Sequence, residues 1–548
     1  MAPWYHLWWV LACLVVESRR FQRHPAFLIP SYIHIPPLRA EAHSNVAKYT
    51  VRGGQCFLPA EQHEQRILQD EWRRVSDLFG FAEYSIGVLA HADLFKSRGV
   101  QQNSDTGSLA NDHPDKGFGL TLGPSDHGLP ETDIDTTDDI SLNANQEHRN
   151  ELYEFTDRKG RRLALRGDVT PQFMAMLKEH WELPIKHNLN ALETKQITKW
   201  FTMADCWRYE RPGHCRRRNH IQWTCDIVGI PNEDAEIELL TMLITFYKNV
   251  GLTNKDIAIH LNHVDALPTL LESMGKPVKD HTWMHQFRKV IDKYRKINRN
   301  ELCIALNQLG FSYDEINKLL DSIANCSDIN TYAKLFGNET PFVKSLQNIV
   351  HGVEHAQHSD WLHMDLSIVR GTDYYTGAVF ECFDRMHPQH RAIAGGGRYD
   401  NYLGPKENND RQLSYSVGFG MGNIGIIETM RSRNLLQEQI FTDIVLYNPH
   451  SSSRVPLRGV DLVHVNKVLY SLRDSGIKVF HYFQGTKLAK ALEFAERASS
   501  IALIYPKLDD ATGTLVYQVH NIPSKSKTLV AKEDIIQFLE RMRRHKTN

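Results

Sequence analysis

The sequence predicts an α+β fold: a mixed, mainly antiparallel sheet with flanking helices, interrupted by a helical insertion and followed by a smaller α/β domain. Three observations lead there. Segments that alternate in strand fashion, or read as hairpins around turn residues, gather in 151–229 and again in 361–430. Helical periodicity dominates 232–250 and most of 270–360. From about residue 441 strand and helix patterns alternate to the end, as in an α/β module. At 548 residues the chain exceeds one ordinary core, so two or three domains are expected. The divisions fall at 1–45 (a leader), 46–270 (first part of the core), 271–360 (the helical insertion), 361–435 (second part of the core) and 441–548.

Each element has its own reason. In "EQHEQRILQDEWRRVSDLFGF" the apolar Ile67, Leu68, Trp72, Val75 and Leu78 recur at helical spacing, and "AEYSIGVLA" behind them reads as a strand. Residues 101–150 change character: ten acidic residues and a single basic one, Lys116, lie between Asn103 and His148 among Gly, Ser, Pro and Asn. Such a stretch cannot bury enough apolar surface to order itself and reads as a disordered surface insertion. "ELYEFTDRKGRRLALR" is a hairpin with its turn at Asp157–Gly160, and a helix follows at "TPQFMAMLKEH" with Thr170 as N-cap and Pro171 at the first helical position. Ser312 and Glu315 in "SYDE" form a capping box. The C-terminal alternation runs "DIVLY", a helix, "KVFHYF", the helix "TKLAKALEFAERA", "IALIYP", "TLVYQVH" and a last helix.

Composition narrows the class. Hydrophobic content of 41% with 24% charged residues is globular, and a formal net charge of −1 exerts no global pull on nucleic acid. RNA contact would have to come from local patches such as Arg216–Arg218 or the tail Arg541–Lys546. Eight scattered cysteines without a C-x-x-C pair point away from zinc sites and from a disulfide framework.

Four stretches carry chemistry. "WRYERP" and "RRRNHIQWTCDIVG" flank a turn around Pro212–Gly213; strand alternation puts Arg208 and Glu210 on one face, and Gln222, Thr224 and Asp226 on one face. Guanidinium groups make paired contacts to phosphate or carboxylate, while Gln and Asp hold an ammonium or a ring N–H, so this surface suits a zwitterionic amino acid beside a nucleotide phosphate. On charge pattern alone a merely solvated hairpin explains it equally well. In "LSIVRGTDYYTGAVFECF" Arg370 lies between an apolar strand and a turn, with Tyr374 and Tyr375 before the next strand; a surface Arg and packed tyrosines are the plainer alternative. "AIAGGGRYDNYLG" is neither a Walker loop nor a dinucleotide fingerprint, but its glycines let backbone approach a ligand. "ALRGDVTPQ" sets Asp168, Val169 and Thr170 at a strand-to-helix corner, where Asp168 and Thr170 can face an amino group or simply cap the helix.

Together, in this order and across most of 46–548, these stretches resemble the histidyl-tRNA synthetases. "WRYERP…RRRNHIQWTCDIVG" is similar to motif 2 of the class II synthetases. "VRGTDYYTGAVFE" resembles the "RGLDYYTGxVFE" signature of the histidine enzymes, and "AIAGGGRYD" the "AxxGGGRYD" signature that accompanies it. "KWFTMADCWRYE" and "SVGFGMGN" resemble the plant-organelle branch.

The resemblance implies a class II core with a C-terminal anticodon-binding domain at 441–548, and activation of L-histidine by ATP before transfer to tRNA(His). It implies that Arg208 bridges the ATP α-phosphate and the histidine carboxylate, and that Arg370 neutralises that phosphate from the opposite side. Asp168, Thr170 and Gln222, with Val169 beside them, would hold the α-amino group; Asp226 and Tyr375, with Tyr374 alongside, would read the imidazole; Glu210 would help seat the adenine. Mg²⁺ is expected with ATP rather than at a protein-bound site. A homodimer burying much of 46–100 is implied too.

Three departures stand out: Gly87 where motif 1 usually has Pro, no Gln after "RP" in the motif 2 loop, and "GNIG" (422–425) where motif 3 usually reads "GLER". The last leaves Gly425 in place of the arginine expected on the γ-phosphate, with ATP held by other basic groups. The alternatives are a histidine-binding regulatory subunit of ATP phosphoribosyltransferase, which resembles a synthetase without the last domain, or a catalytically dead relative that senses tRNA.

The N-terminus adds a destination. "WYHLWWVLACLVV" (4–16) has signal-peptide length, and no acidic residue lies between Glu17 and Glu41 while Arg19, Arg20, Arg23 and Arg39 do. This pattern resembles the two-part leader of a secondary plastid such as the apicoplast; a plain signal peptide is the alternative. No stable membrane association of the mature protein is expected.

Overall fold

In the computed structural model the described residues are 51–95, 151–186, 197–213, 215–356, 358–369, 374–387, 391–402, 415–436, 442–448, 462–482, 487–509 and 511–547. The leader, the acidic insertion expected at 101–150, and Arg370 lie outside them. Residues 53–548 form one compact unit.

Helix α1 (Pro59–Leu78) follows the expected periodicity, with Gln65, Leu68, Trp72, Val75 and Ser76 on its buried face. Leu78, expected on that face, is 64% exposed. The segment after it is not one strand but two, β1 (Ala82–Glu83) and β2 (Leu89–His91), because it serves two sheets. β3 (Tyr153–Thr156) and β4 (Arg162–Leu165) make the expected hairpin; the Asp157 carboxylate accepts the backbone N–H groups of Lys159 and Arg161 and fixes the turn. β2, β4 and β3 form a three-stranded sheet.

Helix α2 (Thr170–Lys186) starts one residue earlier than expected. The Val169 carbonyl accepts the Phe173 N–H, so Val169 is the cap and Thr170 already helical. β5 (Thr198–Trp207) and β6 (Asn219–Val228) form the long hairpin. β5 ends at Trp207 instead of continuing through "WRYERP": Arg208 N–H still reaches the Arg218 carbonyl, but Tyr209 N–H turns to Glu151.

Helix α3 (Asp234–Asn249) and β7 (Ile257–His263) precede six helices: α4 (Ala266–Ser273), α5 (His281–Asp292), α6 (Arg299–Gln308), α7 (Tyr313–Asn325), α8 (Ile329–Phe336) and α9 (Pro341–His355). The capping box stands: Ser312 Oγ accepts from Glu315 N–H and the Glu315 carboxylate from Ser312 N–H. β8 is Leu362–Met364, so the strand expected in "LSIV" lies earlier and 366–369 is irregular. β9 (Ala378–Asp384), β10 (Ala394–Arg398), β11 (Ser416–Gly422) and helix α10 (Asn423–Ser432) complete this half. The glycine run 395–397 lies inside β10.

The main sheet runs β1-β5-β6-β11-β10-β9-β7-β8, antiparallel except for its outermost pairs β1–β5 and β7–β8. Strand parity decides the two faces of β6. Trp223, Cys225 and Ile227 join the apolar core with α1 and α3, where Trp223 stacks on Trp72 (centroids 5.8 Å apart) and donates to Ser76 Oγ at 3.0 Å. Gln222, Thr224 and Asp226 are left for the other face. One buried ion pair braces it: Arg398 Nε and Nη2 donate to the two Glu236 oxygens at 2.7 and 2.6 Å, tying β10 to α3.

The C-terminal segments form a second sheet with cores of their own. Its strands are β12 (Ile444–Tyr447), β13 (Val479–Tyr482), β14 (Ala502–Leu508), β15 (Leu515–Asn521) and β16 (Lys527–Ala531), in the order β13-β12-β14-β15-β16. With them go helices α11 (Leu462–Asp474), α12 (Leu488–Arg497) and α13 (Ile535–Thr547). β16 was not expected from sequence: only Val530 in it is buried, so it carries no alternation signal. Among the described residues no helix is long and apolar enough to cross a membrane.

Candidate active site

A cavity of about 380 Å³ lies against the polar face of the main sheet. Of the residues singled out in the sequence, Asp168, Thr170, Arg208, Glu210, Gln222, Asp226, Tyr374 and Tyr375 line it. Val169 does not: it is fully buried in an apolar cluster with Phe173 and Leu177, because α2 must pack its first turn against the sheet.

One end is built by register. Asp226 faces Trp200 on β5 and Gly418 on β11. Tyr399, just past β10, donates its hydroxyl to Asp226 Oδ1 at 2.6 Å. Oδ2 is buried and has no hydrogen-bond partner among the described residues. Burial pushes the Asp226 carboxyl up to about 7, against the lowering effect of the Tyr399 hydrogen bond. Glycine at 418 is required here, since a Cβ would stand 2.0 Å from Asp226 Oδ1. Gly420 is less constrained: its Cβ would stand 2.7 Å from Gln222 Nε2, the end of a flexible side chain. The Tyr374 hydroxyl donates to the Tyr375 hydroxyl at 3.4 Å, and Tyr374 packs edge-on to Tyr399.

The middle is a polar chain. His220 Nε2 lies 3.3 Å from Gln222 Oε1, and Gln222 Nε2 donates to Thr224 Oγ1 at 3.0 Å. Burial, helped by the Arg208 charge, lowers His220 to about 4, so its ring is neutral at pH 7. Asp168 Oδ1 accepts from the Thr170 N–H and hydroxyl at 3.3 and 3.4 Å, so the corner is a cap and a cavity wall at once.

The other end is cationic and built by connections rather than strands. Arg208 Nε donates to the Gly167 carbonyl at 3.0 Å. Arg216 bonds the Glu210 carboxylate, and Arg391 Nη1 stands 3.7 Å from the same group. Burial would raise the Glu210 pKa, but the Arg216 hydrogen bond and the charges of Arg208, Arg216 and Arg391 hold it below its ordinary value. Arg217 and the first turn of α10, Ile424 and Gly425, also line this cavity.

His220, Tyr399, Arg391, Gly418 and Gly420 were not singled out in the sequence as site residues. The "SVGFGMGN" spacing held the one available signal: glycine at every second position clears one face of a strand. Among the described residues no group of three or more His, Cys, Asp or Glu is placed to hold a metal ion.

The architecture matches what the resemblance to the class II synthetases implies: an antiparallel sheet whose inner strands carry the cavity, with the β5–β6 hairpin along one wall. The crystal structure of histidyl-tRNA synthetase from Nostoc sp. PCC 7120 shares the fold with a TM-score of 0.63, covering 90% of this chain and 98% of that one at 18% identity. Residues 134–421 match the family model of histidyl-tRNA synthetase, and the chain belongs to that family. "Histidine--tRNA ligase, chloroplastic/mitochondrial" of Arabidopsis thaliana is 34% identical over 318 residues, 57% of this chain and 61% of that protein. The histidine--tRNA ligase of Pyrococcus abyssi is 26% identical over 494 residues, 89% of this chain and 97% of its own.

Proposed function

We propose that the protein activates L-histidine with ATP and transfers it to the 3′ end of tRNA(His). The observation that supports this most is the open acceptor at the closed end of the cavity. Asp226 Oδ2 is buried and unpaired while Tyr399 holds Oδ1, so a ring N–H entering here gains a partner that nothing else supplies. Tyr375, with Tyr374 beside it, shapes the pocket around the imidazole. Asp168, Thr170 and Gln222 take the α-amino group, and the carboxylate then points to Arg208.

The chemistry follows from that pose. A histidine carboxylate oxygen attacks the α-phosphorus of ATP; the new P–O bond forms as the bond to the β-phosphate oxygen breaks, and pyrophosphate leaves with its Mg²⁺. Arg208 holds attacking oxygen and α-phosphate together, and Arg370 counters the developing charge, so positioning and charge stabilisation carry the step. Glu210 helps seat the adenine. In the second step a ribose hydroxyl of the tRNA 3′ adenosine attacks the carbonyl carbon and AMP departs. Residues 441–548 act as the anticodon-binding domain, and residues 271–360 as a helical insertion between the two halves of the core.

Histidine-dependent exchange of pyrophosphate into ATP is the direct test. Arg370→Ala should cut adenylate formation by on the order of 10²–10³ with histidine binding changed much less. Histidine binding without any exchange in the wild type would instead support the histidine-binding regulatory reading.

A homodimer is part of the proposal: Leu58, Leu78 and Leu89 are exposed on the segment it would cover, and a monomer in sedimentation at micromolar concentration would refute it. An organelle destination, a plastid first, is supported by the basic acid-free stretch behind the apolar N-terminus and by the Arabidopsis relative's name.

A further inference from the structure

The cationic end of the cavity holds groups the proposed mechanism has not used: Arg216, Arg217 and Arg391. Arg391 sits on the connection entering β10, half-exposed, and its contact with a carboxylate among the described residues is the 3.7 Å approach to Glu210, beyond hydrogen-bond length. Glu210 is already engaged by Arg216. Burial and the nearby charges of Arg216 and Arg208 lower the Arg391 pKa, against the pull of Glu210 and Glu151. Arg208, Arg216, Arg217 and Arg391 thus line this end of the cavity with the carboxylates of Glu151 and Glu210, an imbalance that a multiply charged anion relieves.

Location says which anion. A side chain at position 425, on the first turn of α10, would begin 3.7 Å from Ile393, two residues along the chain from Arg391. Gly425 supplies no such side chain, so that stretch of cavity wall takes its charge from the Arg391 side. Its neighbours Ile424 and Gly425 are at a helix N-terminus, whose N–H groups favour anions. Asp226, which would accept the amino-acid ring, lines the same cavity from β6, at its register-built end.

We propose that Arg391 is the residue that binds the outer phosphates of ATP in this chain, filling from the β9–β10 connection the role that position 425 leaves without a side chain. This rests on the ligase reading above. Arg391 touches the leaving pyrophosphate rather than the reacting phosphorus, so it orients the nucleotide for in-line departure. Its guanidinium offers paired donors that a lysine cannot reproduce.

The test compares ligands that differ only in phosphate number. Arg391→Ala should weaken ATP and free pyrophosphate binding about 10–100-fold, the range for losing one charge-assisted paired contact, and leave AMP and histidine within about twofold. Arg391→Lys should fall between, and Gly425→Arg added to Arg391→Ala should restore at least part of the ATP affinity. Equal losses for ATP and AMP, or none for either in a protein that still melts as the wild type does, would overturn the assignment. So would normal exchange with slowed transfer to tRNA, which would mark Arg391 as an RNA contact. A wild-type protein that binds histidine yet exchanges no pyrophosphate would remove the ligase reading itself, a result the variants cannot mimic.

Discussion

The two ends of the cavity are made differently. Asp226 is set by the register of three strands: it faces Trp200 and Gly418 across the sheet, is 1% exposed, and has its second oxygen buried without a hydrogen-bond partner among the described residues. Arg208, Glu210, Arg216 and Arg391 sit beyond strand ends, where Arg216 is 30% and Arg391 49% exposed. A residue held in register cannot be moved without moving the sheet. A residue on a connection can be exchanged for another that reaches the same place. On the proposed ligase reading, recognition of the amino acid would therefore be rigid, and the phosphate end would be the one to accommodate a glycine at 425.

The largest break in this comparison is expected from Gly418→Ala. Its Cβ would meet Asp226 Oδ1 at 2.0 Å and the Cys225 carbonyl at 3.1 Å, so the carboxylate must swing, losing Tyr399 and misdirecting Oδ2. Histidine affinity should fall about 100–1000-fold, since a buried polar group left unpaired costs the full desolvation of that group. ATP affinity, measured by calorimetry on the same variant, should stay within about threefold. Parallel losses would mean that the two ends are one mechanical unit.

The same contrast explains what could be read in the sequence. Parity along "NHIQWTCDIVG" is a property of consecutive residues, so Gln222 and Asp226 were legible before any fold was known. The β3–β4 turn and the Ser312–Glu315 box were legible for the same reason: each is closed by groups within four residues. Tyr399 was not, because it meets Asp226 across 173 residues of chain. The glycine run of β10 was legible only as a place of close backbone approach; that its neighbour is the adjacent strand, with a Cβ on Gly396 standing 2.2 Å from the Gly418 carbonyl, was not. Arg391 carries no local signal at all. Its place depends on how a connection leaves the sheet, which residue pattern does not encode.

A smaller effect sharpens the enclosed end. Asp226 is raised from 3.8 to about 7, by burial first. The folded empty protein therefore keeps a proton that the unfolded chain gives up, and this stabilising contribution is fully present below about pH 4 and lost as pH rises through about 7. Asp226→Asn, neutral and of the same shape, should remove that dependence. Urea unfolding at several pH values should show the wild type losing on the order of 3 kcal/mol more than the variant between about pH 4 and 7. A variant with the wild-type slope would mean that Asp226 is ionised and solvated in the empty site.

The smallest effect tests the open end. Charges that water can reach are screened by salt, with a Debye length of about 10 Å at 0.1 M and about 3 Å at 1 M, whereas an enclosed hydrogen bond to a zwitterion is screened little. The Arg391–Glu210 approach at 3.7 Å, between a half-exposed guanidinium and a carboxylate shared with Arg216, belongs to the first kind; the Tyr399–Asp226 bond belongs to the second. Raising potassium chloride from about 0.05 to 0.5 M should weaken ATP binding by about threefold or more and histidine binding by less than about 1.5-fold. Arg391→Ala should flatten the ATP response and leave the histidine response alone, because the variant removes one of the screened charges. Equal salt responses for the two ligands would say that the deep end is as wet as the shallow one, and the division between a register-built pocket and a connection-built one would fall.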